Sequence, residues 1–152
     1  MTVHVLDHGR HSSLLLPASD GTYHRWAYGD WRYYALADKG FTSSFAALFL
    51  PTQATLGYQN VTAKDSVGVV VTKRYSIVVS KHDVIDLHQK LKAIFDDSAQ
   101  LKSSQKYPLE FAHHPQNYHL LHNSNKVVAL WLTDLGCEVS KYPIYANWKL
   151  QQ

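Results

Sequence analysis

The last third of the chain has the clearest pattern of hydrophobic and polar positions. The apolar residues that recur there at helical spacing are Val127, Val128, Trp131, Leu132 and Leu135. Residues 123–125 are Asn, Ser and Asn, all of which are common helix-capping types, and Gly136 follows the apolar run. This pattern predicts a buried helix that begins at or just before Ser124 and ends at Gly136.

Ser124 therefore has a special environment in the predicted structure. The N-terminus of a helix presents unpaired backbone N–H groups and the positive end of the helix dipole, and both stabilise an anion. A nucleophilic side chain would be well placed at this position. A plain helix cap is the other interpretation, and it is the commoner role for a serine found there.

The first thirty residues alternate short apolar runs with turn-prone segments, which predicts β-strands. A strand that begins at His11 would place Ser13 and Leu15 on the same face as His11. The next predicted strand, over Tyr23–Tyr28, carries His24. His11 and His24 could therefore be neighbours in one sheet.

After the second of these strands the pattern changes to helix. We expect Asp30 to cap a helix over Trp31–Asp38, and a second short helix to run from about Ser43 to Leu50. The aromatic residues of this stretch are Trp31, Tyr33, Tyr34, Phe41, Phe45 and Phe49. Aromatic residues most often fill a core, but this patch could also line a groove for an apolar or glycan ligand.

The second half begins with segments rich in β-branched residues, which predict strands of a central sheet. These segments are Thr52–Val61, Val67–Thr72 and Tyr75–Val79. A helix is predicted from Ser80 to about Asp97, because Ser80 and Asp83 resemble a capping box and apolar residues follow at helical spacing. We expect a polar loop over Ser98–Lys106 and irregular structure over Tyr107–Tyr118.

The strand and helix patterns together predict an α+β fold with a central antiparallel sheet and flanking helices, and the length of the chain fits a single domain over residues 1–152. Of the 152 residues 45% are hydrophobic and 18% charged, as in ordinary globular proteins. The net charge of +3 is small and its lysines and arginines are scattered, so we expect no nucleic-acid partner. No apolar run approaches the ~18 residues of a membrane span, and we find no signal peptide.

Ten histidines and one cysteine raise the question of a metal site. His4, His8 and His11 are close in sequence and His113 is next to His114, but their spacing matches no ligand motif. The lone Cys137 excludes an internal disulfide and a zinc site built from cysteines. The sequence therefore predicts no metal and no cofactor.

Ser124 and His11 together suggest nucleophilic chemistry, which needs a base beside the nucleophile and a third group that orients the base. One arrangement that draws these groups from distant segments is papain-like, with the nucleophile at a helix N-terminus and the histidine on a facing strand. The nucleophile usually comes first along the chain. Because His11 precedes Ser124 here, the arrangement would have to be circularly permuted.

The order and spacing of several short segments resemble a bacterial family of unknown function whose genes often lie near urease genes. The segments that carry this resemblance are His8–His11, Leu14–Pro17, Tyr28–Asp30 with Tyr33 and Tyr34, Ala46–Pro51, Tyr118–Asn125, and Leu135 with Gly136. They extend over nearly the whole chain. That family is in turn similar to the permuted papain-like group, which includes lecithin retinol acyltransferase and NlpC-type cell-wall peptidases.

The resemblance implies roles for individual residues. Ser124 stands where the family has its nucleophilic cysteine, and His11 stands at the position of the general base. The third member would be His24 on the next strand, with Asp30 as the alternative. The residues expected to bind the substrate are Asp30, Trp31, Phe45, Asn123 and Asn125. The family also implies a location in the periplasm or cell envelope.

Serine in place of cysteine changes the chemistry. A thiol of pKa near ~8.5 can ionise at a helix N-terminus beside a histidine, whereas a serine hydroxyl must lose its proton during the attack. The serine could be native and active, native and inactive, or an introduced replacement. We expect a hydrolase or acyltransferase that acts on an amide, ester or thioester carbonyl of a small-molecule, peptide or acyl substrate. The alternative is a module that binds a ligand or partner without turnover.

Overall fold

The computed structural model describes residues 1–36, 51–104, 106–119, 121–139 and 148. These residues form an α+β structure of seven strands and three helices. The strands are β1 (Thr2–Asp7), β2 (Ser12–Pro17), β3 (Tyr23–Asp30), β4 (Thr52–Val61), β5 (Lys73–Val78), β6 (Leu101–Ser103) and β7 (Glu110–Tyr118). The helices are α1 (Trp31–Tyr34), α2 (Lys81–Asp96) and α3 (Ser124–Asp134).

All seven strands belong to one antiparallel sheet in the order β5-β1-β2-β3-β4-β7-β6. The first four strands in chain order are direct neighbours; short connections join β1 to β2 and β2 to β3, whereas the longer connection from β3 to β4 includes α1. The predicted central antiparallel sheet with helices is therefore confirmed. Among the described residues, no helix has both the length and the hydrophobicity needed to cross a membrane.

One face of the sheet is covered by α2 and α3. Alternate strand residues point to that face, including Leu14, Leu16 and Trp26, and they pack against the apolar stripes of both helices. The predicted apolar face of α3 is confirmed, because each of its residues is at most 4% exposed. These residues are Val127, Val128, Trp131, Leu132 and Leu135. This packing fixes α3 across β2 and β3.

The ends of α3 agree with the sequence pattern. Asn123 is the N-cap, and its side-chain oxygen accepts hydrogen bonds from the backbone N–H groups of Asn125 and Lys126, both at 3.0 Å. Ser124 is the first helical residue. After the helix Gly136 has a φ of 78°, the left-handed conformation that suits glycine at this position.

Three expectations for the second half were wrong. Val67–Thr72 is irregular, and Ser98–Lys106 contains the short strand β6. Most of Tyr107–Tyr118 is strand β7, although proline is rare within sheets. The reason is a bulge: the β4–β7 register shifts between Gln53 and Thr55, and Pro115 lies in the shifted part, beyond the end of β6.

The helical segment after β3 is only partly described. Asp30 caps α1 as expected, because its side chain accepts a hydrogen bond from the backbone N–H of Tyr33 at 2.9 Å. The helix ends at Tyr34, whereas the prediction extended it to Asp38. Residues 37–50, which include the second predicted helix and Phe45, lie outside the described residues.

Candidate active site

The structure brings Ser124 and His11 together although they are 113 positions apart in the sequence. Nδ1 of His11 lies 3.2 Å from Oγ of Ser124. His11 comes directly before β2, and Ser124 begins α3, which packs on that strand. A hydroxyl and an imidazole nitrogen at this distance form the first element of a nucleophile–base pair, and such contacts are often long in unliganded proteins.

The backbone at the start of α3 offers one donor beside Ser124. The N–H groups of Asn125 and Lys126 are occupied by the Asn123 side chain. Within the described ranges no acceptor bonds the N–H of Ser124 itself. Of the several free N–H groups expected at this helix N-terminus, the N–H of Ser124 therefore remains. Like the first N–H of any helix, it has no acceptor within the helix.

Asn125 connects the two segments that carry the pair. Its Oδ1 accepts a hydrogen bond from the Ser12 hydroxyl at 2.9 Å, and its Nδ2 donates to the carbonyl of Arg10 at 3.0 Å. The indole of Trp148 donates to the same Ser12 hydroxyl at 2.8 Å. Asn125 is 1% exposed. These contacts make Asn125 a connection between the two segments, and its predicted role in substrate binding stays a prediction.

The environment of His11 favours the neutral imidazole. Burial, together with the nearby His8 and Arg10, lowers the pKa of His11 to about 4. The ring of Tyr34 meets the ring of His11 edge-on, with 5.5 Å between centroids. No described residue is hydrogen-bonded to Nε2 of His11. His11 is thus an uncharged base at neutral pH.

The two candidates for the third catalytic residue do not contact His11. His24 pairs with Leu16, near the far end of β2, and its Nδ1 lies 3.1 Å from Nε2 of His88 on α2. His24 shares the face of Leu16 and Trp26, whereas His11 lies beyond the other end of the strand. The structure therefore does not bring His24 to His11, and no contact between them supports the orienting role predicted for His24.

The carboxylate of Asp30 is also used elsewhere. It accepts hydrogen bonds from the backbone of Tyr33 and from the hydroxyl of Thr52, and it is 4% exposed. Continuing the β2–β3 register beyond Ser13 and Ala27 places Gly29 opposite His11. A glycine supplies no side chain to orient the imidazole, so the neighbouring strand completes no triad.

The expected substrate-binding residues have varied environments. Trp31 is 9% exposed and packs its ring edge-on against His113 at 4.1 Å between centroids. It belongs to a cluster with Ala35, Leu109 and Phe111, which agrees with the core interpretation of the aromatic patch. Asn123 caps α3, as described above.

A cavity of about 240 Å³ lies on the sheet face opposite α2 and α3. Its lining includes His11, His8, Ser13 and Arg25, with apolar walls from Val69, Leu109 and Phe111. Ser124 is 1% exposed and does not line this cavity. The cavity therefore meets the pair at His11.

Sequence analysis missed Arg25, which is 4% exposed in the cavity wall. Strand alternation places it on the face opposite Trp26, and this was a usable signal. Its burial could not be foreseen, because arginine is rarely buried unless it is paired. In the part of the chain that the structure describes, no three His, Cys, Asp or Glu residues are grouped to hold a metal ion.

Comparison of the chain with protein-family models, with curated proteins and with solved structures found no match.

Proposed function

We propose that this protein is a hydrolase or acyltransferase that acts on an amide, ester or thioester carbonyl, with a permuted papain-like arrangement of its reactive groups. The observation that carries the proposal is the 3.2 Å contact between Nδ1 of His11 and Oγ of Ser124. The position of Ser124 at the first residue of α3 supports it, because the helix N-terminus stabilises negative charge.

The chemical steps follow from this geometry. Neutral His11 accepts the hydroxyl proton of Ser124 at Nδ1 while Oγ attacks the carbonyl carbon. Collapse of the tetrahedral intermediate breaks the bond to the leaving group, which takes the proton from His11. Water, or an acceptor alcohol or amine, then attacks the acyl-serine ester with His11 again as the base, and Ser124 regains its proton.

The oxyanion of the intermediate needs hydrogen-bond donors. The backbone N–H of Ser124 is available for this role, together with the dipole of α3. One donor and a helix terminus stabilise the intermediate less than a full set of donors. We therefore expect slow turnover.

A second candidate function, a module that binds a ligand without turnover, is favoured by two observations. Ser124 is 1% exposed, so an acyl donor reaches Oγ only if neighbouring segments move. The pKa of His11, lowered to about 4 mainly by burial, makes it a weaker base than one poised near neutral pH. Both observations weigh against the chemical step, and neither weighs against the binding of a ligand in the cavity.

Labelling of Ser124 separates the two functions. The protein carrying Cys137→Ala is incubated with a fluorophosphonate probe, and the modified residue is identified by intact-mass and peptide mass spectrometry. We expect a single adduct at Ser124, and we expect His11→Gln to slow its formation by about 10²–10⁴-fold, the usual contribution of a general base. Ser124→Ala is the negative control.

Ser124→Cys in the same Cys137→Ala background tests whether the site is assembled but silent with serine. The helix N-terminus should lower the thiol pKa, so iodoacetamide should alkylate residue 124 faster than it alkylates Cys137 of the parent protein, whose thiol pKa is raised by burial. Labelling of the cysteine variant alone supports the binding module. If neither residue at position 124 reacts, the acyl-transfer proposal fails.

A further inference from the structure

Arg25 is a buried cation in the wall of the cavity. It is 4% exposed, and among the described residues no carboxylate forms an ion pair with it. Asp7, the last residue of β1, is next to His8, and its carboxylate accepts a hydrogen bond from the N–H of Gly9. Removing an ionised group from water is expensive unless an opposite charge compensates it.

Neutral groups hold the guanidinium in place. Its Nε donates to the Ser13 hydroxyl at 3.1 Å, and Nη1 donates to Gln59 Oε1 at 3.2 Å and to the carbonyl of Val67 at 3.5 Å. Its Nη2 donates to Nε2 of His8 at 3.3 Å. Guanidinium has five N–H groups, so one hydrogen on Nη2 has no acceptor among the described residues.

His8 is fixed in the tautomer that accepts from Arg25. Its Nδ1 lies 2.8 Å from the carbonyl of Val70, which can only accept, so Nδ1 carries the hydrogen. Its Nε2 then accepts from both Ser13, at 2.8 Å, and Arg25. Burial and Arg25 keep the pKa of His8 below its ordinary value. The groups that hold Arg25 are thus uncharged, and the guanidinium itself is the charged group among them.

We propose that the cavity binds the carboxylate of a short acyl substrate, with Arg25 as the residue that recognises it. This inference rests on the proposed function in one respect: it treats the bound carboxylate as part of the acyl substrate. The binding of a carboxylate at Arg25 does not itself depend on acyl transfer. Arg25 donates a hydrogen bond to Ser13, which is two residues from His11 along the chain. At the rise of a β-strand, two residues span roughly 7 Å, so the proposed carboxylate site lies about that far from the base His11. The cavity of about 240 Å³ admits only a small group between them.

The charge balance favours a carboxylate over a phosphate. A carboxylate has one negative charge and neutralises the single charge of Arg25, and its planar pair of oxygens matches the guanidinium. A phosphate monoester carries about −1.5 to −2 at neutral pH and would leave uncompensated negative charge in the cavity. The apolar wall of Val69, Leu109 and Phe111 suits the methylene groups of a short acyl chain.

Binding is tested in the Ser124→Ala variant, in which no acyl transfer can occur. Glutaramate and glutaramide are matched in shape and differ in one carboxylate against one amide. Titration of the ¹⁵N-labelled variant, followed by NMR at pH 7, should show glutaramate binding at least about tenfold more tightly, as a charge-assisted hydrogen bond provides. Equal affinity for the two compounds would overturn the proposal.

Two further variants assign the preference to Arg25. Arg25→Gln should remove the tenfold preference, whereas Arg74→Gln should keep it. Arg74 is a matched control because its guanidinium pairs with Asp65, at 2.6 Å, away from the cavity. A preference that survives Arg25→Gln would overturn the assignment. If Arg25→Gln does not give the spectrum of a folded protein, the guanidinium ¹⁵N signal of Arg25 in the Ser124→Ala variant is followed instead. Its chemical shift should change when glutaramate is added and stay the same when glutaramide is added; an equal change with both compounds would overturn the assignment.

The remaining outcomes are also decisive. Inorganic phosphate that displaces glutaramate at equal or lower concentration would overturn the assignment to a carboxylate. Carboxylate binding without probe labelling at Ser124 would support this inference and sink the proposed acyl transfer. Labelling without a carboxylate preference would do the reverse.

Discussion

The hydroxyl of Ser12 donates a hydrogen bond of 2.9 Å to Oδ1 of Asn125, and this bond joins the start of β2 to the first turn of α3. The same amide donates to the carbonyl of Arg10. Asn125 therefore contacts the residues on both sides of His11. The relative position of the candidate base and nucleophile depends on one buried side chain.

Asn125→Ala should therefore lower both stability and reactivity. The substitution leaves the Ser12 hydroxyl without its acceptor, and we expect the free energy of unfolding to fall by about 1–3 kcal/mol. Urea unfolding measures this loss. Asn117→Ala is the control, because Asn117 has an exposed side chain and should change stability by less than about 0.5 kcal/mol. Equal effects of the two substitutions would contradict the connecting role of Asn125.

Acid should destabilise the fold through His11. Its pKa is about 4 in the folded protein against 6.5 when exposed, so between these values the unfolded chain binds the extra proton and stability falls as pH falls. At ~1.36 kcal/mol per pKa unit, His11 contributes about 3 kcal/mol of stability above pH 6.5 that is lost by pH 4. Unfolding curves of the parent protein and His11→Gln over this range measure it. A parallel pH dependence in the two proteins would contradict the prediction.

Gly29→Ala should disturb the surroundings of His11. A Cβ at position 29 would overlap Cδ2 and Cε2 of Tyr34, whose ring also contacts His11. We expect a loss of about 1–3 kcal/mol from overpacking, measured by urea unfolding. Tyr34→Ala removes the ring, so Gly29→Ala should cost less in that background. Additive effects would rule out the contact with Tyr34 as the cause.

His24→Gln should leave the reactivity of residue 124 unchanged. His24 contacts His88 and the ring of Tyr58, not the Ser124–His11 pair. The alkylation rate of Ser124→Cys should therefore stay within about twofold of its parent when His24 is replaced, as expected for a distant and independent site. Replacing His11 by Gln in the same assay is the positive control. A tenfold or greater loss with His24→Gln would restore its proposed orienting role.

Local signals predicted much of the fold. The caps of α2 at Ser80 and of α3 at Asn123, and the left-handed Gly136, depend on contacts within a few residues of chain, so the sequence indicates them directly. β4 was predicted at its observed bounds from its β-branched residues. In contrast, β7 was not predicted, because Pro115 argued against a strand there. The bulge that accommodates this proline depends on the pairing of β7 with β4, which the local sequence does not show.

The sequence by itself determined where helices begin and end and which residues of a strand share a face, since these follow from the 3.6- and two-residue periods and from local capping. Only the tertiary structure decided which segments meet. Strand register set His24 against His88 and away from His11, and it put Arg25 in a cavity whose described lining residues include no carboxylate. The physical reason is that register and helix docking are fixed by the burial of many apolar side chains together, which no single segment specifies.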